Sequence, residues 1–376
     1  MPNDIRITEL NTLSSTAATN YIPVTDGVRT TKLGTDALFG SRNRIINGDM
    51  RIAQRGTSFT QVTNNTYTLD RYKYNNSNDG QVTISQQSDA PTGFNSSLKV
   101  SVTNIDVTMG TTQRARILHT IEGYNISDLV GVTFTFSFWV KTNKTGNYSA
   151  TFANIGNGTT PDRSYVAPFT VNAADTWEYK TITVIGGIPN SGTWNYTTGI
   201  GLIVGLTLAC GTGNQTASVN QWVVGSNFST NDNPVNLLDN VVNYINFTGL
   251  QLEVGATATS FERRPYGLEL SLCQRYLPVV DVSAYRLISA DGATIAYMPL
   301  PLPVQARVAP SSLATTGTFT IRTAGGLSTP SATLTFNAAA VDSAIVNIDS
   351  TGLTAGQCIM LLGSAGSKLF FNGCEL

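Results

Sequence analysis

The nine residues Val132-Thr-Phe-Thr-Phe-Ser-Phe-Trp-Val140 decide the fold class of this 376-residue chain. Valine or phenylalanine stands at every second position, with threonine, serine or tryptophan between them. Because successive side chains of a β-strand point to opposite faces, this alternation predicts a strand whose Phe134, Phe136 and Phe138 face a core. The opposite face carries Trp139, and Lys141 continues it.

Further strand signals surround this segment without a convincing helical period between residues 43 and about 265. Turn dipeptides such as Asp79-Gly80 and Ser191-Gly192 separate them. About eight or nine strands in this span predict an antiparallel β-sandwich, and a jelly roll fits best. Besides 132–140, the predicted strands are 81–86, 98–102, 115–121, 148–152, 179–185, 202–208 and 246–254.

Residues 1–40 form a separate short β segment in this interpretation. A hairpin is predicted from Ile22 to Leu33, with Asp26-Gly27 supplying the positive φ angles of a type I′ turn. So small a hairpin buries too little surface to stand alone, and we expect it to dock on a partner chain or another subunit.

The pattern changes after the jelly roll of residues 41–265. Leu268, Leu272 and Tyr276 form one stripe of a short helix over 266–276, and Pro278 ends it. We expect the stripe to pack on the sandwich; packing on symmetry mates is the alternative.

Residues 277–376 predict a smaller C-terminal β-sandwich, with strands at 319–323, 333–336, 344–348 and 358–362. Pro299, Pro301 and Pro303 argue against a central strand there and favour an edge strand or an extended connector. The region holds few charged residues, so a monomer would expose a large apolar surface, and oligomeric burial is the simplest remedy.

The composition excludes several classes of function. Only 12% of residues are charged and the net charge is −1, which argues against a nucleic-acid groove. The start lacks the pattern of a secretory signal and the longest apolar run is too short to cross a bilayer, so we expect a soluble chain made in a reducing cytoplasm, without membrane insertion. The four cysteines have no metal-site spacing and are predicted to be free, buried thiols.

Catalysis and cofactors are not expected either. His119 is the single histidine, and its place in an apolar strand predicts a satisfied core histidine rather than a base. No paired carboxylates, phosphate-binding loop or nucleophile elbow stands out, and no cofactor is predicted.

Three stretches resemble bacteriophage tail-fibre and related virion fibre proteins. The first is Ile5-Arg-Ile-Thr-Glu-Leu with Ala17-Ala-Thr-Asn-Tyr-Ile-Pro-Val-Thr-Asp-Gly27, which is similar to an N-terminal segment of such fibres. The others are similar to the opening and closing strands of a jelly-roll module that itself resembles carbohydrate-binding jelly rolls. They are Asn43-Arg-Ile-Ile-Asn-Gly-Asp-Met-Arg-Ile-Ala-Gln-Arg-Gly56 with Leu69-Asp-Arg-Tyr72, and Leu250-Gln-Leu-Glu-Val-Gly-Ala-Thr-Ala-Thr-Ser-Phe-Glu-Arg-Arg-Pro-Tyr-Gly267 with Leu272-Cys-Gln-Arg-Tyr276.

The resemblance implies a non-enzymatic, homotrimeric tail fibre on the virion, made in the host cytoplasm. Residues 1–40 would attach to other tail or baseplate proteins, and the C-terminal domain or the aromatics of the sandwich would contact a host surface glycan. A capsid-attached fibre or decoration protein, a polysaccharide depolymerase and a free-standing carbohydrate-binding module are the alternatives.

Aromatic residues give the candidate glycan sites. Trp139 on the polar strand face could stack on a sugar ring while Lys141 binds its oxygens, and Trp194 with Tyr196 forms a second candidate in a loop. The alternative is that these faces pack under a loop or the next domain.

A structural calcium ion is a weaker hypothesis, drawn from the jelly rolls that the module resembles. Asp49 near the first strand and Glu253 near the last could begin an oxygen shell because the module's two ends pair. Alternatively, Arg51, Arg55 or Arg71 pairs with those carboxylates.

Overall fold

The computed structural model describes residues 21–25, 30–34, 41–156, 161–283, 285–323, 328–329 and 332–376. Its contacts divide the chain into two units, Met1–Asn43 and Arg44–Leu376. In the first unit, β1 (Tyr21–Thr25) pairs antiparallel with β2 (Thr30–Gly34). The predicted hairpin is therefore present; the register leaves four residues between the strands, among them Asp26 and Gly27, which lie outside the described residues.

Two antiparallel sheets form the first sandwich of the second unit. One sheet has seven strands in the spatial order β15 (Trp222–Val224), β11 (Arg163–Val171), β10 (Gly146–Ala153), β13 (Ile200–Cys210), β8 (Arg114–Glu122), β5 (Tyr72–Asn76) and β4 (Thr66–Tyr67). The other has six, in the order β12 (Glu178–Val184), β9 (Phe134–Thr142), β17 (Tyr244–Val254), β7 (Ser97–Asn104), β6 (Gln81–Gln87) and β3 (Ser58–Phe59). β14 (Gln215–Thr216) and β16 (Ser229–Thr230) form a short parallel pair.

The core between these sheets confirms the predicted apolar face of β9. Phe134, Phe136 and Phe138 are fully buried, and Phe152 of the facing sheet packs edge-to-face on the first two. Such ring pairs add about 0.5–1.5 kcal/mol beyond the burial of their area.

The C-terminal region folds into a second, smaller sandwich with its own core. Its three-stranded sheet has the order β18 (Val279–Asp281), β27 (Lys368–Asn372) and β21 (Ser312–Thr316). Its seven-stranded sheet has the order β23 (Ser328–Thr329), β22 (Phe319–Thr323), β26 (Cys358–Gly363), β19 (Tyr285–Ala290), β20 (Ile295–Pro301), β25 (Ser343–Asp349) and β24 (Thr333–Ala339). Ile321 of the larger sheet and Phe371 of the smaller belong to the same core.

The proline-rich strand β20 corrects the prediction of an edge strand or connector, because it lies between β19 and β25. Its pairing with β19 covers only Ala296 and Tyr297, while its pairing with β25 continues to Pro301. Leu302 N donates to Asp342 O, so the nitrogens of the alternate residues Pro299 and Pro301 point to the other edge, where no strand pairs with them.

The predicted helix is α1 (Tyr266–Gln274), and the described residues also contain short 3₁₀ turns at Gly123–Asn125, Ser127–Leu129, Thr212–Asn214 and Leu237–Asp239. The helix packs on the sandwich, as expected, but with a different face. Leu268 is half exposed, and the buried positions are Glu269 and Cys273, followed by Tyr276. Glu269 is buried because it pairs with the Arg264 guanidinium and accepts a 2.5 Å hydrogen bond from Asn47 N.

A polar cluster around the buried Arg71, Tyr276 and Glu122 links the two sandwiches and the helix. Together with the partly exposed Arg275 and Glu375, we call these residues the polar junction. The Arg71 guanidinium lies 3.5 Å from the Tyr276 ring centre and 2.8 Å from a Glu375 carboxylate oxygen. Glu122 accepts hydrogen bonds from Arg275 and from the Tyr276 hydroxyl. Several residues of the resemblance motifs thus serve to join elements of the fold.

Three cysteines are buried free thiols as predicted, whereas Cys358 is free but exposed, since it lies on the outer face of β26. In the described part of the chain, no helix combines the length and the apolar character needed to cross a bilayer.

Candidate functional site

A cleft of about 430 Å³ opens on the outer face of the six-stranded sheet, where β12, β9 and β17 lie side by side. We call it the aromatic cleft, because four of its ten lining residues are aromatic. Strand residues and two loops contribute to it: Phe94, Ser137, Trp139, Tyr179, Gly249, Ala258, Thr259, Ser260, Phe261 and Arg263.

Trp139 and Tyr179 form one wall of the cleft. They are directly opposite each other in the ladder between β9 and β12, and their ring centres lie 5.2 Å apart. Tyr179 is 43% exposed, so its ring faces the solvent as well as the indole. Among the described residues, the indole N–H of Trp139 has no protein acceptor, which leaves it available to a ligand oxygen.

Phe94 and Phe261 provide two further rings of the lining. Phe94 comes from the loop between β6 and β7, Phe261 from the segment after β17, and their ring centres lie 5.1 Å apart in an edge-to-face arrangement. The Arg263 guanidinium lies 4.7 Å from the centre of the Phe94 ring and donates a hydrogen bond to Gly93 O. These contacts hold the cation against the aromatic lining.

Gly249 leaves the space between Phe94 and Trp139 open. Its φ of +64° lies in the left-handed region, and a Cβ atom here would stand 2.8 Å from Phe94 Cζ and 3.1 Å from Trp139 Cδ1. The register of β17 against β9 shifts between Thr248 and Gln251, so the glycine lies in a bulge. The chain therefore bends at the one residue type that leaves room for both rings.

The Glu253 side chain of β17 holds the loop that carries Thr259 through hydrogen bonds. This buried carboxylate accepts hydrogen bonds of 2.8 Å from Thr259 N and 2.7 Å from Thr259 Oγ1. Farther along the same sheet face, Thr135 donates to Gly255 O and is covered. The outer face of β9 is thus covered by a loop at Thr135 and open at Trp139. The sequence left open whether this face is available to a sugar or packs under a loop, and each alternative holds for part of it.

The structure separates the predicted pair Trp139 and Lys141. Only Trp139 lines the cleft, while the Lys141 ammonium lies 2.7 Å from an Asp89 carboxylate oxygen, and Trp177 donates its indole N–H to the same carboxylate. Partial burial alone would raise the pKa of Asp89, but these two donors hold it below its ordinary value. Lys141 is therefore already paired.

The second predicted aromatic pair does not join the cleft. Trp194 packs against Trp222 at 5.5 Å and against the sandwich core, and its indole N–H donates to Ser191 O. Tyr196 is 43% exposed but lies outside the lining of the aromatic cleft. Trp194 therefore stabilises the loop, in line with the alternative stated for it.

The two calcium candidates have different protein partners. Asp49 lies 3.3 Å from the Arg51 guanidinium, and Glu253 is bonded to Thr259 and Gln251. Burial raises the pKa of Asp49, although Arg51 opposes the shift. Among the described residues, no three His, Cys, Asp or Glu side chains cluster in a way that could hold a metal ion.

His119 is buried, as predicted, but only one of its ring nitrogens is satisfied. Its Nε2 lies 3.2 Å from Ile46 N, whereas its buried Nδ1 has no hydrogen-bond partner among the residues that the structure describes. Burial, together with the nearby Arg71 charge, holds the pKa of His119 well below its ordinary value. The ring is therefore neutral at physiological pH.

Of the residues that line the cleft, the sequence predicts only Trp139; the other three aromatic side chains and the arginine are not predicted, namely Phe94, Tyr179, Phe261 and Arg263. Tyr179 begins the predicted strand 179–185, but its position beside Trp139 depends on which strands pair. The motif Phe261-Glu-Arg-Arg264 puts an aromatic residue next to two cations, a signal that lies within the stretch similar to the closing strand of the module.

Comparison with known proteins gives structural likeness only. No family model matches the chain, and no curated protein matches its sequence. A domain of bacteriophage CBA120 tailspike protein 4 is similar over 52% of this chain and 21% of its own, at 12% identity and TM-score 0.30. The chain is also similar to a putative sugar-binding protein of Bacteroides thetaiotaomicron, over 57% of this chain and all of that one, at 12% identity and TM-score 0.34. A third similar structure is a family 11 carbohydrate-binding module of Clostridium thermocellum, matched over 54% of this chain and 98% of its own, at 13% identity and TM-score 0.29.

Proposed function

We propose that this chain is a glycan-binding virion fibre protein whose aromatic cleft contacts a carbohydrate on the host surface. The observation that carries the binding proposal is the wall of Trp139 and Tyr179, with ring centres 5.2 Å apart and facing a cleft of about 430 Å³. Ligand pockets typically enclose about 300–1,000 Å³, so the cleft has room for a short oligosaccharide.

The chemistry of the lining suits a sugar. A pyranose ring presents a flat face of C–H bonds that stacks on aromatic rings, and hydroxyl groups around its edge. The Ser137 side chain places a hydroxyl group beside the rings. The indole N–H of Trp139 offers a further donor.

We propose that the protein binds without hydrolysis. A glycosidase needs two carboxyl groups about 5–10 Å apart on either side of the scissile bond. The ten described residues that line the cleft include no Asp or Glu, and the nearby Glu253 accepts hydrogen bonds from Thr259. This arrangement supports recognition over the depolymerase alternative.

The fibre role rests on the resemblance of the N-terminal segment and of the two jelly-roll motifs. Residues 1–40 would attach to a tail or baseplate protein, and three copies would assemble. Light scattering tests the assembly: the trimer predicts three times the chain mass of 40.1 kDa. A lone subunit at all concentrations would contradict it. Particle imaging would distinguish the tail from the capsid alternative.

Two tyrosines of equal exposure provide the test of glycan binding. Tyr179 and Tyr196 are each 43% exposed, but only Tyr179 lines the cleft. An aromatic contact is worth about 0.5–1.5 kcal/mol, so Tyr179→Ala should weaken oligosaccharide binding roughly twofold to 13-fold. Calorimetric titration of the full chain with a panel of neutral and acidic oligosaccharides measures the effect.

Tyr196→Ala is the matched control and should leave affinity unchanged. The reverse result, with Tyr196→Ala weakening binding and Tyr179→Ala having no effect, would move the site to the loop of Trp194. Absence of binding to every oligosaccharide and to host cells would overturn the glycan proposal.

A further inference from the structure

We propose that the aromatic cleft selects glycans that carry an acidic group, and that Arg263 is the specificity-determining residue that binds it. The inference rests on the proposed glycan-binding function and adds the chemical class of the ligand. Among the ten described residues that line this cleft, Arg263 is the only charged one.

The guanidinium group of Arg263 has no carboxylate partner among the described residues. Within the described part of the chain, it forms no ion pair, and the only protein acceptor of its N–H groups is Gly93 O. The neighbouring Arg264 differs, since it is buried and paired with both Glu269 and Glu262. A guanidinium has five N–H donors, so most of those on Arg263 remain available.

The acidic side chains near the cleft do not neutralise Arg263 through a direct contact. Asp49 is close enough for its charge to interact with Arg263, but its ion pair is with Arg51. Glu253 directs its two carboxylate oxygens to Gln251 and Thr259. Each carboxylate has its own protein donors, and the positive charge of Arg263 faces the cleft.

The position of Arg263 suits recognition of a substituted sugar ring. Its guanidinium lies 4.7 Å from the centre of the Phe94 ring and 5.6 Å from that of Phe261. These contacts already restrict the Arg263 side chain, so less conformational entropy is lost when its guanidinium binds an anion. A sugar stacked on the aromatic lining would bring a carboxylate at C6 within reach of two parallel N–H groups, which is the geometry that guanidinium favours.

We propose a uronic-acid residue as the ligand, since its planar carboxylate can accept two parallel hydrogen bonds from the planar guanidinium of Arg263. A phosphorylated sugar presents related chemistry and is a separate arm of the test. The probes are pairs of gluco-, galacto- and manno-oligosaccharides of equal length that differ only in the group at C6: hydroxymethyl, carboxylate or phosphate.

Calorimetric titration of the full chain should give tighter binding to the carboxylate member of at least one pair, by about tenfold to 100-fold. Arg263→Gln should abolish this preference while binding of the neutral member persists. Arg263→Lys should retain part of the preference, because it keeps the charge and loses the planar fork. Arg322→Gln removes the same charge from the exposed position Arg322 on β22 and should change nothing.

The ratio of acidic to neutral affinity separates this inference from the proposed function. Equal affinities for the neutral and acidic members, or an equal loss of both on Arg263→Gln, would overturn the inference while glycan binding stands. A preference for phosphate over carboxylate would overturn the assignment to uronic acids. Failure of every probe to bind would overturn the proposed function itself.

Discussion

At the residue scale, His119 shows how the fold sets the charge state of a single side chain. It is 2% exposed, and Tyr72 packs edge-to-face on its ring at 5.4 Å. The ring stays neutral because burial disfavours its charged form, and a second positive charge beside the buried Arg71 would add to that cost. It is also the only histidine of the chain, so its titration can be followed without interference from another.

We predict that the free energy of unfolding falls as pH decreases below about 6.5. In that range the unfolded chain binds a proton at His119 that the folded chain does not bind, because the folded pKa is lowered. The slope from this group is about 1.4 kcal/mol per pH unit until the folded pKa is reached. Urea unfolding at about pH 7.5 and about pH 5.5 measures it.

His119→Gln is the comparison, since glutamine can accept the hydrogen bond of Ile46 N and does not titrate. The variant should lose this part of the pH dependence, whatever its overall stability. A carboxylate whose pKa is raised in the folded state, such as buried Asp70, makes the free energy of unfolding rise as pH decreases. This contribution is the same in the unaltered protein and in the variant. An unchanged slope in the variant would contradict the assignment.

At the element scale, proline marks where a strand has only one neighbour. Pro168 lies in β11, which pairs with β10 throughout but with β15 only from Arg163 to Tyr165. Pro299 in β20 is likewise opposite a strand on one side only. The rule that proline avoids central strands holds for each position, although both strands are interior in the order of their sheets.

The last residues of the described chain act as an element of their own. Glu375 lies 2.9 Å from Arg55 and 2.8 Å from the buried Arg71, and the Leu376 carbonyl accepts from Lys73 at 3.2 Å. Burial alone would lower the pKa of Arg71, but Glu375 and Tyr276 raise it above its ordinary value. The segment thus supplies the counter-charge that the buried guanidinium requires.

We predict that Glu375→Gln lowers the free energy of unfolding by about 3–5 kcal/mol, because it leaves a buried charge without its partner. Asp89→Asn makes the same chemical change in the pair with Lys141, where the Asp89 side chain is 49% exposed. That control should cost about 1 kcal/mol or less. Urea unfolding compares them, and equal losses would show that Arg71 does not depend on Glu375.

At the scale of the whole molecule, the unit Arg44–Leu376 contains two main hydrophobic cores. Arg307 connects them: its guanidinium donates to Thr198 O at 2.6 Å, Cys374 O at 2.7 Å and Glu375 O at 2.7 Å. Together with the polar junction, it links the first sandwich to the second through charged hydrogen bonds rather than through a shared apolar core.

We predict that the two cores unfold in one thermal transition, and that Arg307→Ala splits it so that the C-terminal core melts first. Each hydrogen bond to a charged group contributes about 1.5–3 kcal/mol. The bond to Thr198 O crosses to the first sandwich, and the bonds to Cys374 O and Glu375 O hold the guanidinium within the second. Scanning calorimetry of the full chain measures the number of transitions. Arg322→Ala, which removes an exposed arginine, should leave a single one; two transitions in the unaltered protein would contradict the prediction.

Local alternation was sufficient to predict much of the fold. The two-faced alternation around Phe136 predicts its strand, and the predicted strands around Ile321 and Val346 are also present, each with one face in a core and one outside it. The strand Arg163–Val171 was missed because it is buried on both faces over most of its length and contains a proline, so it shows no clear alternation.

The candidate site was only partly predictable. Trp139 was identified because the strand period places it opposite the core-facing phenylalanines. Its predicted partner Lys141 shares that face by the same period but pairs with Asp89, 52 positions away in the sequence. Side-chain pairing at such a distance depends on how loops fold over the sheet, which no local pattern contains.

By itself, the sequence determined the all-β class, the two successive sandwiches, the helix between them and the core face of β9, because each depends on periodicity and turn residues along a continuous segment. Only the tertiary structure decided what lines the cleft and what neutralises Arg71. Phe94, Tyr179 and Arg263 meet, as do Arg71 and Glu375, through strand order and register. Those follow from the packing of the whole chain, since burial and charge pairing are properties of residues far apart in sequence.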